Sequence, residues 1–276
     1  NEPVTSAKDF AKKDRYDLAI PLWGKVAADA SLPVDQRVEA ASQKAMLEAE
    51  ILRRDDALRT IDAALGWDGV IGAMRGKLFL LRSRMMLTDR VFEEEYSLKQ
   101  LKDAEAALAK ALTQPGTPQK ERYESILKMV NAYLAGGQFQ ATIDFVEARF
   151  KDTKFQNQDK CDLYHKEAKA YSSMEKWDES AKMYRIARKY DGLVHMCDTH
   201  EILDAEGWVA EQLEDWKTAE KAYSLEAKTY NDEEGDKKSW CVGRLRRVMA
   251  KLQANEKKKD ISFDDTDDGS AITLDD

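Results

Sequence analysis

A spacing constrains this chain more than any other feature. Small residues at Ala19, Ala57, Ala104, Thr142, Ser180 and Ala219 stand 38, 47, 38, 38 and 39 positions apart. The surroundings recur as well. Phe10-Ala-Lys-Lys-Asp-Arg-Tyr16-Asp-Leu-Ala19 leads on to Trp23, and Tyr171-Ser-Ser-Met-Glu-Lys-Trp177-Asp-Glu-Ser180 leads on to Tyr184. The same outline returns around Trp216, Ala219 and Tyr223: an aromatic at a turn, a small residue, then an aromatic one helical turn later. Self-similarity at a period of 20–50 residues is the signature of a repeat architecture. The one long interval places about nine extra residues in Leu87–Tyr96, an insertion in the third inter-helix turn.

Within each period apolar residues return at helical spacing, as in Ile126, Met129, Val130 and Tyr133 and again in Ile143, Val146 and Phe150. That pattern puts them on one face of each of two short helices. The breaks at Ser31-Leu-Pro33, Gly66–Gly69, Thr113–Pro118, Gly136-Gly137 and Asp191-Gly192 fall between the helices, where Gly and Pro end them at low cost. The first 258 residues hold no strand-length alternation flanked by turn signals, so the fold class is all-α. A lone hairpin of this size has two apolar faces to cover, so successive hairpins stack and share a seam, forming a solenoid. About six hairpins fit, followed by a capping helix near Lys237–Ala254 with Trp240, Val242, Leu245, Val248, Met249 and Leu252 on one side. The organisation expected is a repeat domain over residues 1–258 and an acidic, flexible tail over 259–276.

These residues resemble the tetratricopeptide repeat, whose units are two antiparallel helices of about 34 residues. Small residues at the helix crossings carry the likeness: Ala7, Ala45, Ala168 and Gly207 on first helices, Ala19, Ala57, Ala104 and Ala219 on second helices. Turn aromatics at Tyr16, Phe139, Trp177 and Trp216 add to it. The chain departs from the pattern in its longer period, in Arg54 at a turn-aromatic position, in Val130 at a small position and in Pro21 inside a second helix. The resemblance implies a right-handed α-α superhelix that binds an extended peptide along its first helices. It places Lys128, Asn131, His165, Lys169, Ser172, Asp204, Trp208 and Glu211 on that groove. Asn131 with Lys169 is similar to part of the Lys and Asn set by which some relatives grip a terminal carboxylate.

Composition narrows the function classes. With 44 basic and 52 acidic residues the net charge is -8, which opposes nucleic acid as a ligand because phosphate binding needs accumulated Lys and Arg. No apolar run approaches the ~20 residues of a bilayer-spanning helix. The start at Asn1 instead of Met, with only three cysteines, favours an extracytoplasmic compartment, periplasmic or secreted and bacterial. Oligomeric state is left open.

Enzyme signatures are lacking: no Gly-rich phosphate loop, nucleophile elbow or zincin spacing occurs, and acid runs such as Glu93-Glu94-Glu95 read as solvated charge. No cofactor is expected. One constellation stands apart, because Cys161 and His165 lie four apart on one first helix, and His200 and Asp204 four apart on the next. The two pairs are one repeat from each other. Sulfur, two imidazoles and a carboxylate form a reasonable zinc set, with Cys197 as a competing ligand. Against it, His165 and Asp204 simply line the groove and Cys161 packs at a helix start. The tail around Asp264–Asp275 has acids at alternate places before Gly269 but lacks the bidentate Glu and following helix of a calcium loop. The chain is therefore expected to be a non-catalytic adaptor that binds a protein or peptide. The alternatives are a structural subunit that self-assembles or docks in a larger complex, and a metal-dependent enzyme.

Overall fold

In a computed structural model the backbone is described for residues 2–87, 96–152, 155–191, 199–230 and 235–264. The described residues form thirteen α-helices and no strand, twelve of them following one another two by two along the chain before a last helix. The pairs are α1 (Glu2–Ala11) with α2 (Tyr16–Ala28), α3 (Val34–Glu50) with α4 (Arg54–Leu65), and α5 (Gly72–Met86) with α6 (Leu98–Leu112). After them come α7 (Gln119–Ala135) with α8 (Phe139–Asp152), α9 (Asn157–Ser173) with α10 (Trp177–Asp191), and α11 (Thr199–Gln212) with α12 (Trp216–Thr229). The turn aromatics Tyr16, Phe139, Trp177 and Trp216 each open a second helix, and Arg54 opens α4 in the same role.

All six marker residues, Ala19, Ala57, Ala104, Thr142, Ser180 and Ala219, are fully buried, as are Ala7, Ala45 and Ala168 on first helices. Small side chains there let two helix backbones approach within the 8–10 Å at which side-chain ridges interlock. Where the marker is a serine it is also satisfied: the Ser180 hydroxyl donates to the Ala168 carbonyl across the crossing at 2.9 Å. Gly207 is the extreme case, since a Cβ there would stand 2.5 Å from the ring of Tyr223.

The turns repeat as closely as the crossings. Two residues before a second helix the backbone goes left-handed, at Asp14, Leu52, Gly137, Glu175 and Glu214, with φ of 54°, 61°, 66°, 57° and 53°. The next residue then donates its N–H five residues back: Arg15 to Phe10, Arg53 to Glu48, Gln138 to Tyr133, Lys176 to Tyr171 and Asp215 to Ala210. This is the Schellman closure of a helix C-terminus. Only one of the five positions holds glycine, and a side-chain-bearing residue in that conformation costs about 1 kcal/mol. The α5–α6 connection is the exception. There the Tyr96 hydroxyl donates to the Leu87 carbonyl at 2.9 Å and the Gln100 amide to the Met86 carbonyl at 2.6 Å. Of the expected insertion, Leu87–Tyr96, residues 88–95 lie outside the described residues.

The chain divides into two compact units, residues 1–141 and 142–276. The core of the first is built mostly of alanine with Trp23, Val38, Ile61 and Leu78. That of the second is aromatic and sulfur-bearing, with Cys161, Tyr184 and Ile202 in one cluster and Tyr223, Cys241 and Val248 in the next. The last helix, α13, runs Gly235–Asp264, past the expected tail start at 259, because Glu256-Lys-Lys-Lys-Asp-Ile is a run without Gly or Pro, rich in good helix formers. Its buried stripe is Cys241, Leu245, Val248 and Leu252. Trp240 and Met249, expected on that stripe, are 52% and 42% exposed. Residues 265–276, the acidic segment considered as a calcium loop, lie outside the described residues.

Candidate functional site

In the second unit the first helices carry one continuous polar stripe. Glu201, Asp204, Trp208 and Glu211 on α11 follow the i, i+3, i+7, i+10 spacing that brings side chains to one face. Each acid meets a cation from a neighbouring first helix. Lys169 of α9 donates to Glu201 at 2.7 Å, with His165 Nε2 3.7 Å from the same oxygen. Arg244 of α13 pairs with Asp204, and Arg247 donates to both oxygens of Glu211 at 2.8 Å. The buried Tyr223 hydroxyl donates to Glu211 at 2.6 Å. Amid these pairs Trp208 is left 37% exposed, held edge-on by Trp177 with ring centroids 5.1 Å apart. Arg244 also lies 4.1 Å over the Trp240 ring, so a second indole is fixed beside the stripe.

The electrostatics follow from burial. Asp204 sits above the usual carboxylate range because burial outweighs the opposing pull of Arg244. Burial would raise Glu201 too, but the hydrogen bond from Lys169 and the nearby His165 hold it below. Tyr223 is driven far up, first by burial and then by its bond to Glu211, and so remains a donor. The exposed Lys169–Glu201 pair contributes only about 0–1 kcal/mol, and in the part-buried Arg244–Asp204 and Arg247–Glu211 pairs desolvation offsets much of the attraction. Their larger consequence is geometric, because they fix the register of α9, α11 and α13 and leave the charges of the stripe mutually neutralised.

The structure distributes the expected groove residues unevenly. Lys128 and Asn131 belong to α7 in the first unit, the other six to the second. Asp204, Trp208 and Glu211 do share a stripe. Lys169 is engaged by Glu201, and His165 is 2% exposed. Ser172 turns into the α9–α10 crossing, bonded to Ser180 and the Ala168 carbonyl. Glu201, Arg244, Arg247 and Trp240 were not anticipated. A signal for them exists in the sequence: the paired charges are separated by 40 and 36 residues in the second unit, and in the first unit Glu39–Lys77 and Arg84–Glu124 by 38 and 40. An acid followed one repeat later by a base, or the reverse, marks neighbouring first helices.

The four zinc candidates end in different places. Cys161 is disulfide-bonded and has no thiolate to offer a metal. His165 points to Glu201. His200 stacks on Tyr230 at 4.3 Å with Nδ1 2.9 Å from the Thr229 hydroxyl, and Asp204 is taken by Arg244. Cys197 lies outside the described residues. Among the described residues no group of three or more His, Cys, Asp or Glu stands close enough to hold a metal ion. The remaining cysteine, Cys241, is buried and donates to the Tyr223 carbonyl at 3.2 Å and the Glu226 carboxylate at 3.3 Å. Burial, then Glu226, push its thiol up to about 12, the opposite of an activated nucleophile.

No family model and no curated protein matches the sequence. Solved structures do match. The C-terminal part of a TPR repeat-containing protein from Cytophaga hutchinsonii aligns with a TM-score of 0.55 at 14% identity, over 92% of this chain and 82% of that one. The apo form of RapI aligns at 0.58 and 14% identity, over 92% and 71%. BtubC from P. vanneervenii aligns at 0.50 and 12% identity, over 89% and 99%. At such identities the likeness is one of fold, and the chain has a tetratricopeptide-like fold: an all-α helical-repeat scaffold. Among the described residues no helix is long and apolar enough to cross a membrane.

Proposed function

We propose that the chain is a non-catalytic adaptor that binds a peptide or protein segment along the first-helix stripe of its second unit. The observation that carries this reading is Trp208: an indole 37% exposed, pinned by Trp177, on a stripe whose flanking charges already satisfy one another. An anchor of this kind costs little ordering entropy on binding, and buried Trp is the commonest energetic hot spot of interfaces. The ligand that suits it presents an apolar side chain to Trp208 and polar groups to Glu211 and Asp204, whose remaining lone pairs can accept from backbone N–H groups. The net charge of -8 opposes a nucleic-acid ligand.

The test is affinity capture from the native lysate with the wild-type chain and with Lys169, Trp208 and Glu211 replaced together by alanine. The adaptor reading expects a partner captured by the wild type and at least a tenfold loss in the variant, with the circular dichroism spectrum unchanged. Trp208→Ala alone is expected to account for most of that loss. Capture that survives the triple replacement would show that the groove is misplaced.

A further inference from the structure

The turn at Leu52 is out of keeping with its equivalents. The left-handed position is held by Asp14, Gly137, Glu175 and Glu214 in the other pairs, residues that are polar or free of a Cβ. Leu52 is an apolar side chain in a conformation that disfavours side chains, and it stands 63% exposed beside Ile51 at 37%. Neither burial nor backbone preference within the chain accounts for leucine there. Strain combined with apolar exposure points to a contact outside the molecule.

A receptor of matching character lies in the same unit. A cleft of about 560 Å³ opens between α4 and α6 above α5, within the size range of ligand pockets, about 300–1,000 Å³. Its apolar surface comes from Leu65, Phe79, Met86 and Ala106, and α6 adds Asp103 and Lys110. The Asp62–Arg82 pair on its wall is self-neutralised. Asp103 and Lys110, seven residues apart on one helix, are separated by about 10 Å. Lys110 lies 5.6 Å over the Phe79 ring at one end. The antiparallel course of α5 and α6 sets Asp103 toward the Met86 end, where Gln100 bonds the Met86 carbonyl. Along the cleft the order is base, apolar, acid. Along the turn Glu50-Ile51-Leu52-Arg53 it is acid, apolar, apolar, base, with Arg53 sharing Asp56 with Arg59.

We propose that the Ile51–Leu52 turn of one molecule docks in the α4–α6 cleft of a second copy, Glu50 toward Lys110 and Arg53 toward Asp103. The two surfaces differ, so the contact is heterologous. A single contact leaves the donor's cleft and the acceptor's turn open, so the pairing either closes reciprocally as a two-fold dimer or propagates, and the sedimenting mass tells the two apart. The contact is small, one turn in one cleft at the low end of interface size, so association is expected to be weak and to need high concentration. This proposal stands apart from the groove on the second unit.

Sedimentation of the purified chain up to about 2 mM tests it. The wild type is expected to gain mass with concentration. Leu52→Glu and Ala106→Trp, which respectively remove the knob and fill the cleft at an exposed position, should each weaken association at least tenfold. Mixed together, they should restore it as 1:1 pairs only, since one supplies an intact cleft and the other an intact turn. Leu52→Gly should also abolish association while leaving the fold at least as stable as the wild type, which separates lost docking from lost folding. A wild type that stays monomeric at 2 mM would overturn the proposal, whether or not Leu52→Glu loses capture of some other protein. Association indifferent to both variants, or a mixture that fails to pair, would overturn it equally.

Discussion

In the first unit the perturbed carboxylates Asp17, Asp29, Glu39 and Asp56 all sit below the usual range. In the second, Asp159, Glu167, Asp204 and Glu226 sit above it. Asp17 is lowered by its hydrogen bond from Arg15, Asp29 by Ser31 and Asp56 by Arg53, all at the exposed rim. Glu39 is half-buried, which alone would raise it, but bonds from Lys77 and Gln43 prevail. In the second unit burial is the first cause each time. It lifts Glu226 against the bonds from Cys241 and Tyr230, and lifts Glu167 to about 7 with help from the charge on Glu147 and against Lys182. Glu201, held down by Lys169, is the exception. The same hairpin plan thus places acids in two physical settings. A lowered carboxylate contributes stability that is present above its ordinary pKa and lost as the pH falls through its folded value. A raised one contributes stability that is full below its ordinary pKa and lost as the pH rises through its folded value. Acid therefore bears on the first unit, mildly because its acids are mostly exposed, and the rise in pH from the ordinary carboxylate value toward neutral bears on the second.

The largest expected effect would break the aromatic packing peculiar to the second unit. Gly207→Ala puts a Cβ among three Tyr223 ring atoms at 2.5–2.9 Å, and the ring cannot retreat because its hydroxyl is bonded to Glu211 and Arg244. A destabilisation of about 3 kcal/mol follows, read as an earlier urea transition. Gly76→Ala in the first unit is the control. Its closest neighbour is the Thr117 hydroxyl oxygen at 2.0 Å, which a rotamer change can move, so a smaller cost is expected. Equal midpoints for Gly207→Ala and the wild type would show that Tyr223 is not held as described.

Next in size is the pH response. Glu167→Gln keeps the shape and removes the charge, so it should stabilise the second unit by roughly 2 kcal/mol at pH 8 and by almost nothing at pH 4. The window between runs from the ordinary carboxylate value up to about 7. Thermal melts of both proteins across that range are the measurement. A gain independent of pH would trace the effect to packing, and no gain at pH 8 would show that Glu167 is well solvated.

The comparison also shows what the amino-acid pattern revealed. The crossings were legible because close helix approach admits only small residues, so Ala19, Ala57, Ala104, Thr142, Ser180 and Ala219 announce themselves whatever their neighbours. The starts of second helices were legible from the turn aromatics. Most of the left-handed turn residues were not, since Leu52, Glu175 and Glu214 carry none of the Gly, Asn or Asp chemistry by which such positions are recognised. The candidate site was half legible. A helical face can be drawn from periodicity, and Asp204, Trp208 and Glu211 share it. Whether Lys169 is open or spoken for depends on Glu201, a neighbour set by the stacking of one repeat on the next. Ser172 was misplaced for a related reason: a face drawn at about 100° per residue does not resolve the inner stripe from the flank at the α9–α10 crossing. The Cys161, His165, His200 and Asp204 group is spaced one repeat apart, but spacing says nothing of direction: Cys161 is in a disulfide, His200 stacks on Tyr230 and Asp204 pairs with Arg244. The division into two units has no sequence marker, because the repeat runs evenly across it.

The smallest expected effect compares the units at one shared position. Leu52→Gly in the first, and Glu175→Gly or Glu214→Gly in the second, should each raise stability by about 0.5–1 kcal/mol, because relief of the left-handed strain exceeds the extra chain entropy of glycine. Gly137→Ala should lose a similar amount. None of these side chains is buried, so packing is not disturbed and the four melts report the backbone alone. Equal gains at 52, 175 and 214 would mean that these three turns are energetically one motif, in which leucine at 52 brings the fold nothing. A loss at 52 with gains at 175 and 214 would mean that Leu52 makes a stabilising contact within the monomer, and the case for its outward role would fail with it.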